Sequence, residues 1–267
     1  MTEITSLPAE TADPKVCPNL IAVASGKGGV GKTWLSAALT HALAGFKRKA
    51  LLFDGDLGLA NVDIQLGLTP ERDLGGVMAG RYPLSKAVMK VKAGRFDAIA
   101  GRSGSGNLAS LPANKLIALS DDLAALATRY DDVVLDLGAG IERTVRHFAQ
   151  LSGTCLVVTT DEPTALTDAY AFIKLAALQD DRTDLRIVIN MAGSKREGER
   201  TYGTLRRACE SFLQLTPPLA GVIPRDPKVK DSIRHQMPIL TRHPAAPAAK
   251  AIDALARTLR PDIAAGR

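Results

Sequence analysis

The eight residues from Gly26 to Thr33, GKGGVGKT, constrain this chain more than any other stretch. They fit G-x-x-x-x-G-K-[ST] and sit between an apolar run from Ile21 and an apolar-periodic segment ending near Leu39. That context predicts a strand, a glycine-rich turn and a helix. In such a loop the glycines let the backbone close around phosphate oxygens and present N–H groups to them at a helix N-terminus. Gly26, Lys27, Gly28, Gly29, Val30, Gly31, Lys32 and Thr33 are therefore the expected nucleotide-binding residues. Lys32 would bring a point charge to the terminal phosphates, and the Thr33 hydroxyl would ligate Mg²⁺. The bland alternative is a glycine-rich turn without nucleotide; the flanking strand and helix weigh against it.

Lys27 follows the first glycine directly. With that second lysine the loop resembles the deviant Walker A motif of the MinD/ParA ATPases. The resemblance implies ATP and Mg²⁺ as ligands, and an ATP-dependent homodimer in which Lys27 reaches the other subunit's phosphates. A loop lysine neutralising the triphosphate of its own subunit is the other reading, and the sequence leaves cis and trans both open.

A chain of 267 residues can bury one substantial core. Aromatics make up only 4%, whereas Ala, Leu, Val and Ile abound, which suits helices packed closely on a parallel sheet. The expected class is α/β, doubly wound with a mostly parallel sheet. Residues 1–18 read as a flexible tail, with three prolines and three acids. Residues 19–260 read as a single P-loop ATPase domain, and 261–267 as a short tail. No apolar run approaches the ~20 residues that span a bilayer, and the start lacks a signal-peptide core, so a cytoplasmic protein is expected. Cys17, Cys155 and Cys209 have no CxxC spacing and are odd in number, which argues against a disulfide framework or zinc site. Cys155 opens an apolar strand and reads as a small core residue.

The acids fall where the chemistry needs them. Lys49 to Phe53 reads as a strand ending on Asp54, and DGDLGLANVD follows. Open α/β sheets bind ligands beyond the carboxyl ends of their strands, where such acids can hold Mg²⁺-bound water or orient the water attacking a γ-phosphate. The resemblance makes this switch I, with Asp56 positioning the water and Asp54 supporting the Mg²⁺ and lysine network. Asn61 and Asp63 read equally well as caps. DVVLD, Asp132 to Asp136, is a buried-type strand ending in an acid and followed by Gly138-Ala139-Gly140. This is a Walker B pattern: Asp136 would reach the Mg²⁺ sphere, while Gly138 would let the backbone approach the γ-phosphate.

Between these acids, Gly67 to Val91 is expected to form one or two short helices broken near Gly80 and Pro83. Phe96 to Ala100 reads as a strand, Gly101 to Asn107 as a mobile Gly/Ser loop, and Leu116 to Ala127 as a helix. Further along, Thr154 to Thr160 reads as a strand, and Glu162-Pro163 as a helix start. Leu185 to Asn190 is the last strongly apolar strand. The Asn190 amide offers a donor and an acceptor that match an adenine edge. The resemblance assigns such an asparagine to the base, together with the later loop containing Pro224 and Asp226; the alternative is a turn-forming asparagine. Glu199 to Leu213 reads as a helix and Ala220 to Ile223 as a final strand. Ala248, Ile252, Leu255, Ala256 and Leu259 share one Ala-rich helical face that reads as core packing. The seven residues beyond Arg260 are too short for a separate amphipathic anchor.

LGLANVDIQLGL, DLGAGI and EPTALTDAYAFIK are similar to the FlhG/FleN branch, MinD-like ATPases that regulate flagellar number and placement. That resemblance runs from about Leu20 to Leu259. It implies flagellar assembly or regulatory proteins as partners, slow and partner-stimulated ATP hydrolysis, and a transient presence at the inner face of the membrane without a clear anchor. Met1 to Pro18 lacks the Asp-Gln-Ala-containing helix by which many flagellar members stimulate a GTPase partner. Trp34 is bulky where smaller polar residues are common, a residue that either packs or tunes the dimer face. The net charge of +6 is concentrated from Lys195 to Arg267, which hold 14 basic against 7 acidic residues. Such a region can face nucleic acid, but without interleaved aromatics it reads first as solvated surface. A DNA-riding partition or cargo-positioning ATPase and a non-hydrolysing nucleotide-dependent scaffold are the alternatives.

Overall fold

The computed structural model describes residues 16–56, 58, 60–101, 111–179 and 183–262. Residues 1–15 of the expected N-terminal tail, 102–107 of the Gly/Ser loop and 263–267 lie outside the described residues. Among the described residues the chain alternates strand and helix. It runs β1 (Cys17–Ser25), α1 (Lys32–Gly45), β2 (Ala50–Gly55), α2 (Val62–Leu66), α3 (Leu74–Met78), β3 (Met89–Val91) and β4 (Phe96–Ile99). It continues with α4 (Ala113–Ala127), β5 (Asp132–Ala139), α5 (Arg143–Leu151), β6 (Ser152–Thr159), α6 (Pro163–Gln179) and β7 (Leu185–Ala192). The last elements are α7 (Lys195–Leu213), β8 (Leu219–Pro224), α8 (Pro227–Arg234), α9 (Ile239–Arg242) and α10 (Pro247–Leu259).

The strands form one sheet in the order β3-β4-β2-β5-β1-β6-β7-β8, parallel throughout except where β3 pairs antiparallel with β4. This is the doubly wound fold expected from the sequence. β1 is central, and its side chains divide by alternation: Leu20, Ala22 and Ala24 join the core shared with α4, α5, α6 and α7, whereas Ile21 and Val23 join the core beneath α1 and α10. A strand covered on both faces must be apolar at every position, which is why β1 and β6 read as continuous runs. α10 buries Ala248, Ile252, Leu255, Ala256 and Leu259, the face read as core packing, and Cys155 is fully buried. No helix among the described residues is long and apolar enough to cross a membrane.

Between Gly67 and Val91 the expected helices account for only part of the chain. α3 and a single 3₁₀ turn over Leu84–Lys86 lie there, but Met89–Val91 is an edge strand. It folds back on β4 through a tight turn in which Arg95 adopts a φ of 57°. Three residues are too few to show a period of two, so the pairing is set by β4 rather than by local pattern. α5, which packs Phe148 and Val145 beneath the sheet, had no expected counterpart.

Candidate functional site

The parallel register brings the acids together at one sheet edge. Asp54 on β2 is paired in register with Asp136 on β5, and Asp136 is in turn the partner of Val23 on β1. Adjacent strands lie about 4.8 Å apart, so the two carboxylates are neighbours by construction. The loop leaving β1 passes beside them. Its Gly29 and Gly31 take φ values of 81° and 88°, a left-handed backbone that side-chain-bearing residues avoid. Gly26 lies so close to α6 that a Cβ there would stand 2.1 Å from the carbonyl oxygen of Asp168. The backbone N–H of Gly140 donates to the Ser25 carbonyl at 2.9 Å, stitching the glycines after β5 to the start of the loop.

Burial sets the electrostatics. Asp54 is 1% exposed, and burial together with the neighbouring Asp136 pushes its carboxyl up to about 8. Its Oδ1 and Oδ2 accept long hydrogen bonds from the N–H groups of Asp56 (3.3 Å) and Val62 (3.4 Å). Burial raises Asp136 to about 6 against hydrogen bonds from Thr33 and Ser36 and the charge of Lys32. The Ser36 bond measures 2.9 Å. Lys32 is itself buried; desolvation lowers its pKa while Asp136 and Asp56 oppose the shift. Asp56 lies against Gly138, where a Cβ would come 3.4 Å from its Oδ1. Thus Lys32, Thr33, Asp54, Asp56, Asp136 and Gly138 form one cluster.

That donor set fits a hard divalent cation. Thr33 and Asp136 would supply oxygen ligands, burial holds the Asp54 and Asp136 carboxyls above their ordinary range, a cost that a cation would relieve, and Mg²⁺ characteristically takes its other ligands from phosphate and water. Among the described residues no group of three His, Cys, Asp or Glu side chains could hold a metal by itself.

Lys27 points elsewhere. Its Nζ donates to Glu162 Oε1 at 2.5 Å and to Thr164 Oγ1 at 2.6 Å, both at the start of α6, while its carbonyl accepts from Ser25 Oγ at 2.6 Å. Glu162 holds its carboxyl below the usual range through the Lys27 and Thr164 bonds. Glu162 read in sequence only as a helix start, and Thr164 and Ser36 gave no signal, because their partners are 100 or more residues away.

On the far side of the loop lies a cavity of about 450 Å³, walled by Gly31, Trp34, Asn190, Met191, Pro224 and residues of α8. Asn190, Pro224 and Asp226, read as base contacts, all line it. The Asn190 Nδ2 donates to the Val30 carbonyl at 2.8 Å, so part of its amide is used to brace the phosphate loop. A Cβ on Gly31 would fall 2.5 Å from that nitrogen, which makes glycine obligatory there. Asp226 caps α8: its Oδ1 accepts from Lys228 N at 2.9 Å and its Oδ2 from Ala248 N at 3.1 Å. Its carboxylate therefore shapes the cavity by joining α8 to α10. Met191, at a φ of 56°, and Ile233 complete a largely apolar lining that sequence reasoning had not assembled.

Comparisons with known proteins agree with this arrangement. Residues 21–239 match the CobQ/CobB/MinD/ParA nucleotide binding domain family. The chain is 37% identical over 238 residues to the antiactivator FleN of Pseudomonas aeruginosa, covering 89% of this chain and 85% of that protein. It is 33% identical over 204 residues to the flagellum site-determining protein YlxH of Helicobacter pylori, covering 76% and 68%. The septum site-determining protein MinD of Pyrococcus horikoshii, solved with Mg-ADP, superposes with a TM-score of 0.75 at 26% identity, covering 93% of this chain and 97% of that one.

Proposed function

Because the chain belongs to the CobQ/CobB/MinD/ParA nucleotide binding domain family, we propose that it is a MgATP-dependent dimerising ATPase switch that regulates flagellar assembly, number or position. One observation carries the ATPase reading: a phosphate loop with its buried lysine and three carboxylates from the ends of two strands converge at the carboxyl edge of the central strands. The flagellar output rests on similarity to YlxH, named as a flagellum site-determining protein, and to the antiactivator FleN, together with the FlhG/FleN-like stretches of the sequence.

In this reading Gly26 to Thr33 wrap the phosphates with backbone N–H groups, and Lys32 neutralises charge on the terminal ones. Thr33 and Asp136 would hold Mg²⁺, whose charge would help to neutralise the phosphates. Asp54 supports that polar network from below. Asp56, against Gly138, accepts a hydrogen bond from the attacking water and sets its line to the γ-phosphate. Phosphoryl transfer asks the protein for this positioning and charge neutralisation rather than for a covalent intermediate. The adenine occupies the cavity beside Asn190 and Pro224. Nucleotide state then shifts a population between monomer and dimer, and the two states present different surfaces to flagellar partners.

The test is the Asp56→Ala protein. It is expected to bind MgATP like the parent and to release phosphate at least about 100-fold more slowly. An unchanged hydrolysis rate would remove Asp56 from the water-positioning role. In cells, loss of the chain is expected to change the number or position of flagella.

A further inference from the structure

Trp34 is the only tryptophan in the chain. It is the third residue of α1, one position beyond the phosphate-loop threonine, and it is 7% exposed. Its ring borders two spaces. One is the 450 Å³ cavity, where it stands with Gly31, Asn190 and Ile233. The other is a narrow crevice in which it meets Leu66 of α2 and Met237 beyond α8. The helix fixes its backbone from the first turn, since Leu35 N donates to Gly31 O at 3.1 Å. A large planar side chain is thus pre-ordered on the wall between the phosphate loop and the cavity.

Two of the cavity's polar side chains are committed to the fold, while Arg225 and Lys230 are exposed cations. Asn190 Nδ2 is bonded to Val30, and both Asp226 oxygens accept backbone N–H groups. Beside those two cations, what remains for a ligand is mostly apolar surface, with Trp34 the only aromatic residue among the described lining residues. A flat heteroaromatic ring gains most from such a wall, and a two-ring base gains more than a one-ring base because the overlap is larger.

We propose that Trp34 is the nucleoside-reading residue of this site: its indole contacts the base and makes the site prefer a purine nucleotide. The proposal rests on the nucleotide-binding reading above and specifies which side chain recognises the part of the ligand that is not phosphate.

The experiment compares MgATP, MgCTP and magnesium tripolyphosphate as probes of the full chain. In the parent protein, tryptophan emission is expected to shift with MgATP and to stay unchanged with tripolyphosphate. By titration calorimetry, Trp34→Ala is expected to weaken ATP about 10-fold, to leave tripolyphosphate unchanged and to shrink the preference for ATP over CTP. Trp34→Phe, which keeps a ring, should retain most of the ATP affinity. Equal loss of ATP and tripolyphosphate in both variants would assign Trp34 a purely structural role, and undiminished ATP binding by Trp34→Ala would remove it from the site; either overturns the proposal. Should Trp34→Ala fail to fold, the parent's emission and Trp34→Phe decide: emission that responds equally to ATP and tripolyphosphate overturns it. If the parent binds neither ligand the nucleotide reading itself fails, whereas ATP binding by parent and variant alike defeats only the assignment of Trp34.

Discussion

Lys27 Nζ lies 2.5 Å from Glu162 Oε1, so the lysine that a trans role would send to another subunit's phosphates is bound at the start of α6 in its own chain. Thr164 Oγ1 holds the same amine at 2.6 Å. The pair is partly solvent-exposed, at 33% for the lysine side chain and 56% for the glutamate, so the contact is weak enough to break when a better anion is offered. In the dimer reading, release of Lys27 from Glu162 is a step between monomer and closed dimer.

Glu162→Gln should therefore ease dimerisation. The ATP concentration giving half-maximal dimer is expected to fall by up to about five-fold, the scale of an exposed ion pair. Light scattering across an ATP titration measures it; a higher midpoint would mean that Glu162 assists the closed state instead.

Asp54 links pH to stability. Its carboxyl titrates near 8 in the fold, against 3.8 ordinarily, so the folded state holds a proton that the unfolded chain has lost between those values. The unfolded state then binds fewer protons, and the stability of the ligand-free protein falls as pH rises from about 4 to 8. Asp54→Asn, which mimics the protonated form, should flatten that fall and raise Tm at pH 8 by about 5 °C or more. Parallel melting curves for parent and variant across that range would contradict the assignment.

A second buried acid works at the opposite end of the sheet. Asp132, fully buried at the start of β5, accepts hydrogen bonds from Arg48 and from Arg260 at the end of α10, the latter at 2.6 Å. Asp132→Ala leaves both guanidinium groups without that partner and is expected to cost about 3–5 kcal/mol in urea unfolding. Nucleotide affinity of the folded protein should be unchanged, because Asp132 begins β5 at the opposite end of that strand from the phosphate loop.

The legible parts of the sequence were those with local causes. Continuous apolar runs announced β1, β5, β6 and β7, and the glycine spacing announced the phosphate loop, because each depends on residues adjacent in the chain. β3 was hidden because three residues carry no period and are ordered by β4. The acids Asp54 and Asp136 were readable as lying near the ends of strands, although β5 runs on to Ala139, yet their pairing follows from sheet order, which places β5 between β2 and β1. The Lys27–Glu162–Thr164 contact and the cavity wall of Trp34, Met191 and Ile233 join segments more than 100 residues apart, and no local pattern encodes them.

A nucleotide switch of this kind requires that ATP join two copies of the chain. Sedimentation of the Asp56→Ala protein should give twice the chain mass with MgATP and the single-chain mass with MgADP, and the added substitution Lys27→Ala should return it to a monomer in ATP. A single-chain mass in saturating MgATP, with nucleotide shown to be bound, would contradict the switch.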